Sequence, residues 1–93
     1  MADAREVVLE EWVLRLDGNV VEMMHRTGIN HRFHVKHVAV EAKPSDRGIA
    51  LRVGIDVKGT IVDGSKLEVP TANQAEVEAL FAEARKRRDS LSG

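Results

Sequence analysis

WVLRLDGNVVEMMH, residues 12–25, is the stretch on which the fold turns. At its centre stands Gly18-Asn19, a dipeptide suited to a two-residue primed hairpin turn. Pairing Asp17 with Val20 around that turn sets a register that can be followed residue by residue. On one face Leu16 meets Val21, Leu14 meets Met23 and Trp12 meets His25. On the other, Arg15 meets Glu22 and, further out, Glu11 meets Arg26. The first face is largely apolar and the second pairs opposite charges, each pair adding roughly 0.2–1 kcal/mol. A period of two sorted in this way is the mark of a half-buried antiparallel hairpin.

Working outward, Val8 joins Trp12, Leu14 and Leu16 on one face, so the first strand is read as starting near residue 8. Downstream, the second strand runs from Val20 to Thr27. A loop through Gly28, Ile29 and Asn30, with Asn30 in the left-handed conformation, pairs Thr27 with His31. His25 then faces Phe33, Met23 faces Val35, and Glu22 faces Lys36. Trp12, His25 and Phe33 thus lie in a row. The phase then changes: Phe33 and Val35 are inward at odd positions, whereas Val38, Val40 and Ala42 continue at even ones. A slip of one residue flips every side chain, so the chain must bend near Lys36-His37.

Strand four runs to about Lys43 and stops at Pro44-Ser45-Asp46-Arg47-Gly48. Ile49, Leu51, Val53, Ile55 and Val57 then alternate with Ala50, Arg52, Gly54, Asp56 and Lys58. Lys58-Gly59 and Asp63-Gly64 read as two tight turns around short strands at residues 60–62 and 66–69, and Pro70 ends the sheet. From Thr71 the period becomes 3.6. Thr71 with Gln74, or Asn73 with Glu76, can form a capping box. Val77, Leu80, Phe81 and Ala84 make an apolar stripe, extended by Leu91. Glu76 and Glu78 sit early and Arg85 to Arg88 late, as the helix dipole favours.

The 93 residues fit one domain, with strands within residues 7–69 and a helix over about 72–89. The fold class is α+β, mainly β: an antiparallel sheet or small, partly open barrel of about six or seven short strands, capped by one C-terminal amphipathic helix. The chain carries one Trp, two Phe and no Tyr, so its core is mostly Val, Leu, Ile and Met. The core set is Trp12, Leu14, Leu16, Met23, His25, Phe33, Val35, Leu51, Val53, Ile55, Val77, Leu80, Phe81 and Ala84. A formal charge of −1 gives no reason to expect nucleic acid or an anionic membrane as partner. Cysteine is absent, which excludes disulfides, thiolate metal sites and a thiol nucleophile. No stretch is long and apolar enough to span a bilayer, and residues 1–8 lack the order of a signal peptide. The expected location is cytoplasmic.

Several short antiparallel strands, a bend after the third and one terminal helix resemble the small bacterial pleckstrin-homology-like (PH-like) domains. Leu14 to Val40, LRLDGNVVEMMHRTGINHRFHVKHVAV, is similar to their early hairpin, strand, short turn and next strand. Leu67-Glu68-Val69-Pro70 leading into residues 75–80 resembles their last strand and closing helix. The resemblance spans most of the chain through hydrophobicity and turns, without a signature motif. It implies a helix-plugged, partly open barrel used for binding. Phosphoinositide-binding members carry basic residues across the first hairpin loop, which here is Asp17-Gly18-Asn19, so no lipid site carries over.

Four histidines, His25, His31, His34 and His37, fall within thirteen positions. Imidazole is a common ligand for zinc, nickel or copper, which makes His31, His34 and His37 the metal candidates. Spacing opposes this, because residues three apart on a strand point to opposite faces, and only the bend near Lys36 could bring one pair together. For His25 the plainer reading is packing between Trp12 and Phe33. No catalytic residues are assigned: Asp17, Asp46, Asp63 and Ser65 lie in turns, Asp56 is on a polar face, and Thr71 is better read as a cap. Gly54, Gly59 and Gly64 are too dispersed for a phosphate loop. No cofactor and no small-molecule substrate is expected. Arg85-Lys86-Arg87-Arg88 could meet lipid or nucleic acid, but a solvated helix end is the plainer reading. The outer face of the first hairpin is more informative. It carries Leu9, Val13, Val20, Met24 and His34 as interface candidates, with Val13 opposite Met24. The reading is a non-catalytic interaction module acting through a protein partner or as a homodimer, with metal binding or anionic-surface binding as alternatives.

Overall fold

A computed structural model describes residues 5–92, apart from the side chains of Asp63 and Ser92. Four strands, β1 (Arg5–Val8), β2 (Trp12–Asp17), β3 (Val20–His25) and β4 (Asn30–His34), form one antiparallel sheet in the order β1-β2-β3-β4. Three more, β5 (Val38–Ser45), β6 (Gly48–Val57) and β7 (Thr60–Pro70), form a second in the order β5-β6-β7. The helix α1 (Thr71–Ser92) follows without a break. The two sheets are separate hydrogen-bonded units, so the barrel is not closed.

The β2–β3 register matches the sequence pairing from Trp12↔His25 through Leu14↔Met23 to Asp17↔Val20. Gly18 takes φ +58°, the value a primed turn asks of its first central residue. The charge pairs arrange differently from the expectation. Arg15 reaches along its own strand to Asp17 at 3.6 Å, and Glu22 pairs with Arg32 of β4 at 3.7 Å.

Three departures have physical causes. First, the segment from residue 8 is not one strand. Leu9 N–H donates to the Trp12 carbonyl at 2.7 Å, reversing the chain and making β1 a separate edge strand. Val7 therefore faces Leu14 inward, while Val8 faces Val13 on the outside. Second, β4 slides by four residues. The left-handed position is Gly28 (φ +96°), not Asn30, and His25 N–H closes the turn on the Ile29 carbonyl at 2.8 Å. Met23 now opposes His31 and Val21 opposes Phe33. Because the slide is even, every side chain keeps its expected face. Third, Asp63-Gly64 is no turn. Strand β7 runs straight through, and the register shifts between Val53↔Ser65 and Ile55↔Val62, so two β7 residues stand opposite Gly54 as a bulge.

The phase change before β5 is where the chain leaves one sheet for the other, through a turn in which His37 N–H donates to the His34 carbonyl. Strand β5 then continues past Pro44, and only Asp46-Arg47 form the turn, with Ser45 opposite Gly48.

Helix α1 lays Val77, Leu80, Phe81 and Ala84 on the inner faces of both sheets, all four buried. Its start differs from a capping box. Thr71 donates through both N–H (3.0 Å) and Oγ1 (3.1 Å) to the Arg47 carbonyl, and Gln74 bonds Glu78 instead. Because the helix runs to Ser92, Arg85 to Arg88 lie one turn inside its end. Leu91 is exposed rather than packed. The core also takes in Val7, Leu9, Val21, Val38, Leu67 and Val69, whereas Trp12 and Ile55 are half-buried at its margin and His25 lies outside it. Among the described residues, no helix is long and apolar enough to cross a membrane.

Candidate functional site

Strand β5 is an edge strand, paired only with β6. Asp56 N–H donates to the His37 carbonyl at 2.7 Å, and Ser45 faces Gly48 across the closing turn. Antiparallel ladders alternate hydrogen-bonded and non-bonded pairs, so the odd-numbered residues of β5 bond to β6. The even-numbered ones, Val38, Val40 and Ala42, direct N–H and C=O to the open edge. Pro44 occupies the next such position, where the missing N–H disturbs no ladder. It also ends the edge as a template for a further strand.

A groove of about 700 Å³ follows this edge. Val38 and Val40 of β5 with Phe81 and Ala84 of α1 give it an apolar base. Arg85 and Arg88 border it on the helix side, and Glu41, Arg52 and Asp56 on the sheet side. Exposed backbone, an apolar base and a charged border suit recognition of an extended chain.

The expected row of Trp12, His25 and Phe33 does not form, because Phe33 stands opposite Val21 and not His25. Trp12 meets the edge of His25 with ring centres 4.6 Å apart. His31, not His25, lies between Trp12 (6.3 Å) and Phe33 (6.2 Å, nearly parallel). His25 Nδ1 is engaged by Thr27, whose hydroxyl lies 2.8 Å away. His31 Nε2 is 3.3 Å from Ser65 Oγ, a link between the two sheets. Ser65→Ala removes this one long, part-buried hydrogen bond. Its expected cost is below about 1 kcal/mol in chemical denaturation, against about 3 kcal/mol or more for Phe33→Ala. Equal losses in the two variants would contradict the burial of Phe33 beneath His31.

Of the metal candidates, His31 faces inward on Ser65, while the bend brings the rings of His34 and His37 to 6.2 Å. His34 Nδ1 already accepts the Lys36 N–H at 3.2 Å. Among the described residues, no three His, Asp or Glu side chains come together to hold a metal ion.

The interface candidates divide. Leu9 is 8% exposed and belongs to the core, because the β1–β2 reversal turns it inward. Val13 and Met24 face each other on the outer side, joined by Val8, which is 64% exposed. Val20 stands opposite His34, a consequence of the slide in β4. The basic run is not uniformly solvated. Arg85 and Lys86 are exposed, but Arg87 bonds Glu83 at 3.1 Å and donates to the Gly18 carbonyl, tying α1 to the first hairpin. Sequence reasoning misses the groove and the part β5 plays in it; Pro44 inside a strand is the available signal.

No family model matches the chain, and no curated protein and no solved structure matches it.

Proposed function

We propose that this chain is a non-catalytic, PH-like interaction module that takes up an extended segment of a partner protein along the β5 edge. The outward N–H and C=O groups of Val38 and Val40, opening onto a groove with an apolar base, and those of Ala42 further along the same edge, carry the reading. A four-stranded and a three-stranded meander closed by one C-terminal helix support the PH-like part. The histidines and Arg87 hold turns, sheets and helix together, which favours this reading over metal or anionic-surface binding. The module is taken to work in a bacterial cytoplasm.

Ala42→Pro tests it. The substitution repeats at residue 42 what Pro44 already does two positions on, removing one outward donor while leaving the β6 ladder intact. Peptides selected from a random display library on the intact chain are expected to bind Ala42→Pro at least about tenfold more weakly, one lost hydrogen bond and a blocked strand. Its unfolding transition should stay close to that of the parent chain. Selected peptides that bind both proteins equally would rule out strand pairing along the β5 edge.

A further inference from the structure

The outer face of the four-stranded sheet is ordered in rungs that cross the strands. One rung reads Glu6–Arg15–Glu22–Arg32, each residue being the registered partner of the next. Its charge alternates at every step. The adjacent rung reads Val8–Val13–Met24–Asn30 and is apolar over three strands. Beyond it, Glu11 and Arg26 continue the opposite-charge pairing, with Arg26 N–H donating to the Glu11 carbonyl at 2.9 Å. The helix packs with the inner faces, so it leaves this side uncovered.

Such a pattern complements itself under one symmetry operation. A two-fold axis parallel to the strands and passing between β2 and β3 lays β2 over β3 of a second copy, and β1 over β4, at unchanged height. Arg15 then faces Glu22, Glu6 faces Arg32, Glu11 faces Arg26, and Val13 faces Met24. A two-fold axis running along the charged rung instead sets Glu6 on Glu6 and Arg15 on Arg15, opposing like charges. We infer that the outer face of β1–β4 is a self-association surface, seating a second copy of this chain about the axis between β2 and β3. The interface is isologous, with the apolar rung at its centre and charges on both sides. Aligned sheets pack at roughly 30°, which the shared twist supplies. This surface is separate from the β5 groove and does not depend on its role.

The test uses charge reversal in the intact chain, read by sedimentation velocity up to about 1 mM, a range that covers small interfaces. Arg15→Glu presents two acidic residues at the symmetric contact, and Glu22→Arg two basic ones. Each variant alone should self-associate at least about tenfold more weakly than the parent chain. An equimolar mixture should form heterodimers. There the new carboxylate at position 15 of one copy meets the new guanidinium at position 22 of the other, and the unchanged Glu22 and Arg15 meet at the symmetric contact. Combining both changes in one chain restores the opposite-charge contact between positions 15 and 22 of the two copies, so that protein should associate more strongly than either single variant. Because the exchange also sets Glu6 beside a carboxylate and Arg32 beside a guanidinium within each sheet, the folding of all three variants is checked by their denaturant midpoints. A parent chain that remains monomeric throughout, single variants that associate like the parent, or a mixture that stays monomeric would each overturn the inference.

Discussion

Gly48→Val should lower the stability of the chain by about 3 kcal/mol or more, at the upper end of what overpacking does to a folded domain. Gly48 opens β6 opposite Pro70, beside the turn that receives the start of α1. A β-carbon there would press on the Val69 carbonyl oxygen, and would lie 2.7 Å from Thr71 N and 2.9 Å from the Pro70 carbonyl carbon. All three are backbone atoms, so no rotamer change relieves the overlap. Nor can the segment drift, because Thr71 is fastened twice to the Arg47 carbonyl. Relief requires parting β7 and α1 from the β5–β6 turn, which should show as a lower urea midpoint. Gly18→Asn is the matched control: nothing lies within 4 Å of a β-carbon there, and asparagine tolerates φ +58°. Its cost should stay within about 1 kcal/mol. Equal losses in the two variants would show that close approach is not what fixes Gly48.

Leu80→Ala is the second large effect, expected at about 2–5 kcal/mol, or roughly a third of the stability of an ordinary small domain. Leu80 is fully buried, midway along the helix stripe, where it belongs to the cluster formed by both inner sheet faces. Truncation removes apolar contacts and leaves a void that two sheets cannot both close. Leu91 lies three turns on, is 42% exposed, and its truncation should cost less than about 0.5 kcal/mol. Calorimetric or denaturant melts of the pair measure the difference. Similar values would mean that α1 is not held to the sheets by its apolar stripe.

The register of the first hairpin is legible, though its ion pairs are not, because Gly18-Asn19 fixes one pairing and the alternating residues on either side agree with it. The helix stripe is legible for the same reason, with its four apolar positions buried as spaced. The β4 register is not, since both Gly28 and Asn30 can take a left-handed conformation and an even slide leaves the inside–outside pattern unchanged. Periodicity alone cannot choose between registers that differ by an even number. The bulge opposite Gly54 reads as a turn because Asp63-Gly64 carries the same residue types in either setting. Leu9 is misplaced by its sequence because the reversal at residues 9–11 has no Gly or Pro to announce it. Of the groove, Pro44 announces only the free edge of β5; that Phe81, Ala84, Arg85 and Arg88 of α1 border it depends on tertiary packing.

Each strand in both sheets pairs with its immediate neighbour along the chain, through turns of a few residues. Closing short loops costs little entropy, so for a β-rich protein this connectivity has a low contact order and favours quick assembly of both meanders. The helix is the exception: Arg87 reaches back to Gly18 across most of the sequence. Until that long-range docking occurs, the oily inner sides of two finished sheets stand open to neighbouring molecules. During synthesis or refolding, that interval is when the chain is most prone to aggregate.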